Sequence, residues 1–194
     1  MKKEENTVIF AEKKKKNTSK FRNFYPDYIF EKVEDITYEL LNVNNIKLVL
    51  LDMDNTLIDT KCNYSKELKK WTKDMKLKGI KPIIVSNSIS NKKVSKVAKE
   101  LGMQYYFKAS KPSLKSFKKV SEDYPDIKKS EILMVGDQLF TDVWGGNRFG
   151  VYTALVKRIN KKEHIVTSVK RPLEKIVLKK YYKKVGNEKE CKVY

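Results

Sequence analysis

Two aspartates, Asp52 and Asp54, stand one residue apart at the end of the apolar run Leu48-Val49-Leu50-Leu51. An unbroken apolar run closed by a polar turn predicts a strand buried on both faces, as at the centre of a parallel sheet. Alternate strand residues point the same way. The two carboxylates are therefore expected on one side as the chain leaves the carboxyl end of the sheet, the edge at which open α/β sheets bind ligands. Carboxylates at a buried strand end are costly without a positive partner. A divalent cation that prefers oxygen ligands, Mg²⁺ or Mn²⁺, supplies one. Alone, an Asp-x-Asp is a weak signal.

It gains weight from what ends the other predicted strands. Ile80 to Val85 runs into Ser86, Gln104 to Phe107 is followed by Lys111, and Ile132 to Val135 leads into Gly136-Asp137 with Asp142 beyond. In a parallel sheet these positions share one edge and can converge. The types suit phosphoryl chemistry. An ionised carboxylate can attack phosphorus, and a metal held by carboxylates brings the two anions together. An ammonium offsets the remaining charge, a hydroxyl and backbone N–H groups hold phosphoryl oxygens, and a further carboxylic acid protonates the leaving group and then activates water.

The elements needed to position these groups are legible. Ser65 is a helix cap ahead of Leu68, Trp71 and Met75, and Ser90 caps a second helix with Val94, Val97 and Leu101 inward, closed by Gly102. A third helix follows Lys111-Pro112, with Pro112 in its first turn and Leu114, Phe117 and Val120 inward. A helical turn then runs to Gly150, and Tyr152 to Val156 is a fifth strand. Strand and helix alternate, so the sheet is expected to be parallel with helices on both faces.

Upstream, Ile29, Phe30, Val33, Ile36, Leu40 and Leu41 recur near helical spacing. This segment is read as a helix or helical turn, with Asp35-Ile36-Thr37 a candidate break into two short pieces, either packed on the domain or forming a lip of the site. Residues 1–20 are lysine-dense and expected to be a disordered basic arm, residues 21–166 the catalytic domain, and residues 167–194 a basic amphipathic helix and tail. In that helix Leu173, Ile176, Val177 and Tyr181 are the expected apolar stripe, to be packed on the domain or laid on an anionic bilayer.

The 194 residues carry 43 basic and 24 acidic side chains, a formal charge of +19. Such an excess attracts nucleic acid, an acidic membrane surface or phosphorylated substrates, and compositional bias toward lysine is the plain alternative. Two cysteines, Cys62 and Cys191, form neither a disulfide framework nor a metal pattern, which suits a reducing compartment. No run reaches transmembrane length and no signal peptide is recognisable. The expected location is cytoplasmic, with attachment to the inner membrane face open. The lone His164 lies in a polar stretch and is expected to be exposed.

Taken together, Asp52-Met53-Asp54-Asn55-Thr56, Ser86, Lys111-Pro112 and Gly136-Asp137 with Asp142 resemble the four motifs of the haloacid-dehalogenase-like (HAD) phosphatases. The resemblance implies an α/β chain with the three-layer α/β/α, Rossmann-like HAD fold and a central parallel sheet. It implies that Asp52 is the nucleophile and Asp54 the general acid/base. Mg²⁺ would be held by the carboxylates of Asp52 and Asp137 and the backbone carbonyl of Asp54, with Asp142 in support. Ser86 would bind phosphate and Lys111 would steady nucleophile and phosphate. The intervals Asn55 to Val85 and Asn87 to Ser110 are consumed by one helix and one strand each, so no cap domain is expected. An uncapped site suits a phosphate presented on something large.

Phe24-Tyr25-Pro26-Asp27, Lys108-Ala109-Ser110-Lys111-Pro112 and the run Gly136 to Gly150 are similar to subfamily IIIA phosphatases related to phosphatidylglycerophosphate phosphatase. That similarity implies an anionic phospholipid substrate at a membrane surface. A soluble nucleotide or phosphoprotein substrate is the enzymatic alternative, and an RNA- or ribosome-associated binding protein on the same fold is the non-enzymatic one. Against the last, no platform of interleaved aromatic and basic residues is visible. Within Gly145-Gly146-Asn147-Arg148, the glycines are read as packing residues, and Arg148 is either structural or a second phosphate contact.

Overall fold

The computed structural model describes residues 9–10, 21–160 and 171–185. The expectations for the rest of the basic arm, for His164 and for Cys191 lie outside the described residues. Seven strands form one sheet: β1 (Ile9–Phe10), β2 (Tyr28–Phe30), β3 (Leu48–Leu51), β4 (Lys81–Val85), β5 (Gln104–Tyr106), β6 (Ile132–Gly136) and β7 (Tyr152–Val156). Their order is β1-β2-β7-β6-β3-β4-β5. Every pairing is parallel except that of the short edge strand β1 with β2.

Strand alternation divides the core. Val49 and Leu51 of β3 face a layer containing Leu68, Trp71 and Met75 of α2 (Lys66–Leu77) and Val94, Val97 and Leu101 of α3 (Asn91–Leu101). Leu48 and Leu50 face the opposite layer, where Phe117 and Val120 of α4 (Lys115–Asp123) meet Phe149 of α5 (Trp144–Phe149). All four β3 side chains are buried, as the uninterrupted apolar run requires. The expected caps form: Ser65 Oγ accepts from Leu68 N–H at 2.9 Å and Ser90 Oγ from Lys93 N–H at 3.3 Å. The result is a three-layer α/β/α fold. A loop and α2 fill the interval between β3 and β4, and α3 fills that between β4 and β5, so no cap domain is inserted.

Three local expectations are corrected. Residues 21–45 are not helical throughout, though a break falls at Ile36-Thr37. They hold a 3₁₀ turn (Arg22–Phe24), strand β2, a second 3₁₀ turn (Val33–Asp35) and the short helix α1 (Tyr38–Val43). Tyr28, Ile29 and Phe30 are all buried because β2 extends the sheet beyond β7, and a strand covered on both faces shows no period of two. The segment enters at the amino end of β7, where Asp27 N–H donates to the Thr153 carbonyl at 2.9 Å, and leaves β2 at the carboxyl edge, where Lys157 N–H donates to the Glu31 carbonyl at 3.2 Å. Pro112 does not open α4, which begins at Lys115 after a turn closed by Ser113 N–H to Ser110 O; the Lys111–Pro112 peptide is cis. The turn after β6 is helical up to Gly150, as expected, and begins as a π-helical turn, Leu139–Val143, before α5.

The last correction concerns α6 (Arg171–Val185). It packs on the second layer through Val177, Leu178, Tyr181 and Tyr182, against Ile29, Leu139, Val143 and Leu155. Leu173 and Ile176, expected inside the stripe, are exposed, and Glu174 is buried in their place. No described helix is long and apolar enough to cross a membrane.

Phe117 is fully buried and stacks on Phe149 with ring centroids 5.4 Å apart. Phe117→Ala is expected to lower unfolding free energy in urea by about 3–5 kcal/mol. Leu77→Ala, at an exposed position, should stay within about 0.5 kcal/mol.

Candidate active site

Asp52 is the first residue beyond β3, its N–H bonded to the Val135 carbonyl of β6 at 2.9 Å. Asp137 follows β6 directly and Asp142 lies in the π-helical turn. The three carboxylates are buried and offer oxygens within 4.8 Å of one another. Lys111 lies between two of them, with Nζ 2.7 Å from Asp52 Oδ1 and 2.7 Å from Asp142 Oδ1. Asp142 Oδ2 also accepts from Gln138 N–H at 3.2 Å. Thr56 Oγ1 donates to Asp52 Oδ2 at 3.5 Å. Four of the six expected residues therefore meet in one buried cluster.

Asp54 and Ser86 stand differently. Asp54 keeps a side chain 46% exposed and pairs with Lys93 Nζ of α3 at 2.5 Å. It is the exposed member of the Asp-x-Asp pair, and its charge still reaches Asp52; the chain turns immediately after it, at Asn55 with φ 62°. Ser86 is fully buried at the end of β4, its Oγ accepting from Ser88 N–H at 3.1 Å. Arg148 bonds the Pro112 carbonyl at 3.3 Å and lies 5.2 Å from the Trp144 ring, which is the structural reading.

Two contributors, Asn87 in the Val85-Ser86-Asn87 run shared with subfamily IIIA and Lys93, had no role assigned from the sequence. Asn87 grips the backbone of Lys111 from both sides, Oδ1 accepting its N–H at 2.7 Å and Nδ2 donating to its carbonyl at 3.0 Å. An amide is the neutral side chain that can do both at once, and its position next to Ser86 was the available signal. Lys93 lies in the first turn of α3, where the helix dipole favours acids; a lysine against that preference was the signal there. The loop delivering Lys111 bends through left-handed conformations at Lys108 (φ 51°) and Ser110 (φ 55°), at a cost on the order of 1 kcal/mol each. Lys108 N–H to Ser88 O and Ala109 N–H to Ser86 O, at 3.0 and 2.9 Å, hold the bend.

Burial pushes the Asp52 carboxyl up to about 7, with Lys111 opposing and Asp142 and Asp54 adding to the rise. Burial alone would lower Lys111, but the carboxylates of Asp142 and Asp52 outweigh it and hold the ammonium charged. Lys111 pairs with Asp52 and Asp142, and Asp137 brings a third buried carboxylate within 4.8 Å of theirs. A divalent cation suits so dense a gathering of negative oxygens. Oxygens around one Mg²⁺ at about 2.1 Å lie up to about 4.2 Å apart, close to the spread observed. Small adjustments would let Asp52, Asp137 and Asp142 serve it.

Space is equally constrained. A Cβ on Gly136 would lie 2.2 Å from Asp142 Oδ2, so only glycine lets the turn fold back this closely. Around the mouth, Ile89, Phe107 and Ile159 are exposed just beyond the carboxyl ends of β4, β5 and β7. Ile159 N–H donates to the Asn55 carbonyl at 2.9 Å.

Residues 11–159 match the family described as Mitochondrial PGP phosphatase. The chain belongs to this family of HAD-type phosphatases. It is 36% identical over 156 residues to "Probable phosphatase YqeG" of Bacillus subtilis (strain 168), across 80% of this chain and 90% of that protein. Among solved structures, an uncharacterized protein from Listeria monocytogenes serotype 4b superposes with a TM-score of 0.48 at 20% identity, covering 70% of this chain and 99% of that one. The 3-deoxy-D-manno-octulosonate 8-phosphate phosphatase of Moraxella catarrhalis, in complex with magnesium, phosphate and KDO, gives 0.44 at 17% identity, covering 74% of this chain and 92% of that one.

In this phosphatase, Asn87→Ala releases the backbone of Lys111 without removing its ammonium. Turnover of a chromogenic phosphate monoester is expected to fall by about 10²-fold, the scale of an ångström-level misplacement, with far-UV circular dichroism unchanged.

Proposed function

We propose that this phosphatase hydrolyses phosphomonoesters through an aspartyl-phosphate on Asp52, and that its substrate is phosphatidylglycerophosphate. The observation that carries the reading is the buried meeting of Asp52, Asp137 and Asp142 around Lys111 at the carboxyl edge of the sheet. When bound, Mg²⁺ would be held by the carboxylates of Asp52 and Asp137 and the Asp54 carbonyl, supported by Asp142, and would supply the charge that lets an anionic phosphate approach a carboxylate.

The chain's own groups do the rest. An Asp52 carboxylate oxygen attacks phosphorus and the bond from phosphorus to the ester oxygen breaks. Asp54, the exposed member of the pair, gives its proton to the departing alkoxide. It then takes a proton from water, whose oxygen attacks phosphorus, and the bond to Asp52 breaks to release phosphate. Lys111 stays charged throughout and bridges Asp52 to Asp142. The Ser86 hydroxyl, at the end of β4, turns to a phosphoryl oxygen.

The substrate assignment draws on three supports. The family is described by the activity on PGP. No inserted domain roofs the mouth, which suits a phosphate carried by something too large to enclose. Exposed Ile89, Phe107 and Ile159 on that edge, with the Lys108 ammonium 5.7 Å from the Phe107 ring, offer both apolar and cationic contact to an anionic lipid surface.

Purified protein incubated with phosphatidylglycerophosphate in mixed micelles is expected to release phosphate. Chelation with EDTA should abolish release and added Mg²⁺ restore it, while Asp52→Asn should reduce it at least ~10³-fold. Release from soluble nucleotides or phosphopeptides but not from the lipid would overturn the substrate and leave the chemistry standing.

A further inference from the structure

Glu174 is a buried carboxylate that the chemistry above does not use. It sits on α6, in a seam otherwise built from Val177, Leu178, Tyr181, Tyr182, Leu139 and Val143. A carboxylate there is unfavourable unless it is hydrogen-bonded. Its Oε1 accepts from Leu139 N–H at 2.9 Å and lies 3.5 Å from Phe140 N. These are the opening amides of the π-helical turn, which the turn itself cannot satisfy, and the residue ahead of it, Gln138, provides no side-chain cap. The cap is supplied instead from 35 residues further along the chain. A negative charge also complements the amide end of a helical segment.

What that turn carries gives the contact its meaning. Asp137 lies just before it and Asp142 within it, both members of the carboxylate cluster. Asp142 N–H and Val143 N–H donate to the Gln138 carbonyl at 3.1 and 3.3 Å, so the turn moves as a unit with its first residues. We propose that Glu174 is a positioning residue for the metal site: by capping the turn, it sets where Asp137 and Asp142 present their oxygens, and α6 thereby governs cation affinity. This rests on reading Asp52, Asp137 and Asp142 as the cation's ligands. Groups one shell removed from a metal commonly change its affinity by about 10–100-fold.

The test uses the full chain and Mg²⁺ alone as probe. Dissociation constants come from calorimetry, and amide hydrogen exchange is followed at Leu139 and Phe140. Glu174→Ala and Glu174→Asp are expected to weaken Mg²⁺ binding about 10-fold or more and to accelerate exchange at both amides. Turnover at saturating Mg²⁺ should change far less than the Mg²⁺ concentration needed for half-maximal rate. Glu174→Gln, whose amide oxygen can accept the same bonds, should restore most of the affinity. Leu178→Ala loosens the same seam without touching the cap, and should lower Tm while leaving Mg²⁺ affinity alone. If Glu174→Asp binds Mg²⁺ like the wild type, or if Leu178→Ala weakens binding equally for the same loss of Tm, Glu174 is only a packing residue. If the wild type binds no Mg²⁺, the metal reading itself falls and the proposal with it.

Discussion

Three buried carboxylates, two of them paired with the Lys111 ammonium, crowd together at the end of a sheet whose central strands are wholly apolar. Like charges in a water-poor setting repel strongly, so the arrangement persists only if the surroundings hold it. Several features serve that end. Gly136 lacks the side chain that would strike Asp142. Asn87 fixes the backbone of Lys111 through two hydrogen bonds. The bend at Lys108 and Ser110 accepts left-handed backbone to bring the ammonium inward. The same crowding of negative charge that strains the cluster suits it to a cation.

Topology makes the meeting possible. Leu51 and Val135 are partners in the register of β3 with β6, so the residues that follow them leave the sheet side by side and about one strand spacing apart. Asp52 and Asp137 are neighbours for that reason. Lys111 has further to travel, since its loop follows β5, two strands from β3. Asn87, at the end of the intervening β4, is placed to hand it across. The contributions come from the ends of β3, β4, β5 and β6, and all arrive at one edge because the six major strands run the same way.

Beyond the cluster, the two halves of the molecule serve different ends. Short connections on the α2 and α3 side leave the mouth open and bordered by Ile89, Phe107 and Ile159. On the other side α6 closes over β2 and β7, and its one buried acid reaches the turn that bears Asp142. A helix whose exposed face is rich in lysine is thus joined, through Glu174, to the turn that carries one of the carboxylates.

The sequence alone determined those features whose causes are local. The buried β3 run, the Ser65 and Ser90 caps and the alternation of strand and helix depend on near neighbours, and they placed Asp52, Lys111, Asp137 and Asp142 at one edge. Tertiary structure decided what depends on distant partners. Tyr28–Phe30 became a strand only because β7 and two covering layers enclosed it, leaving no alternation to read. Asp54 stayed half-exposed against Lys93, 39 residues further along the chain, while Asp52 was buried against Lys111. Glu174, an acid on a lysine-rich helix, reads as solvent-facing until that helix docks, because burial is a property of the surface it meets and not of its own residues.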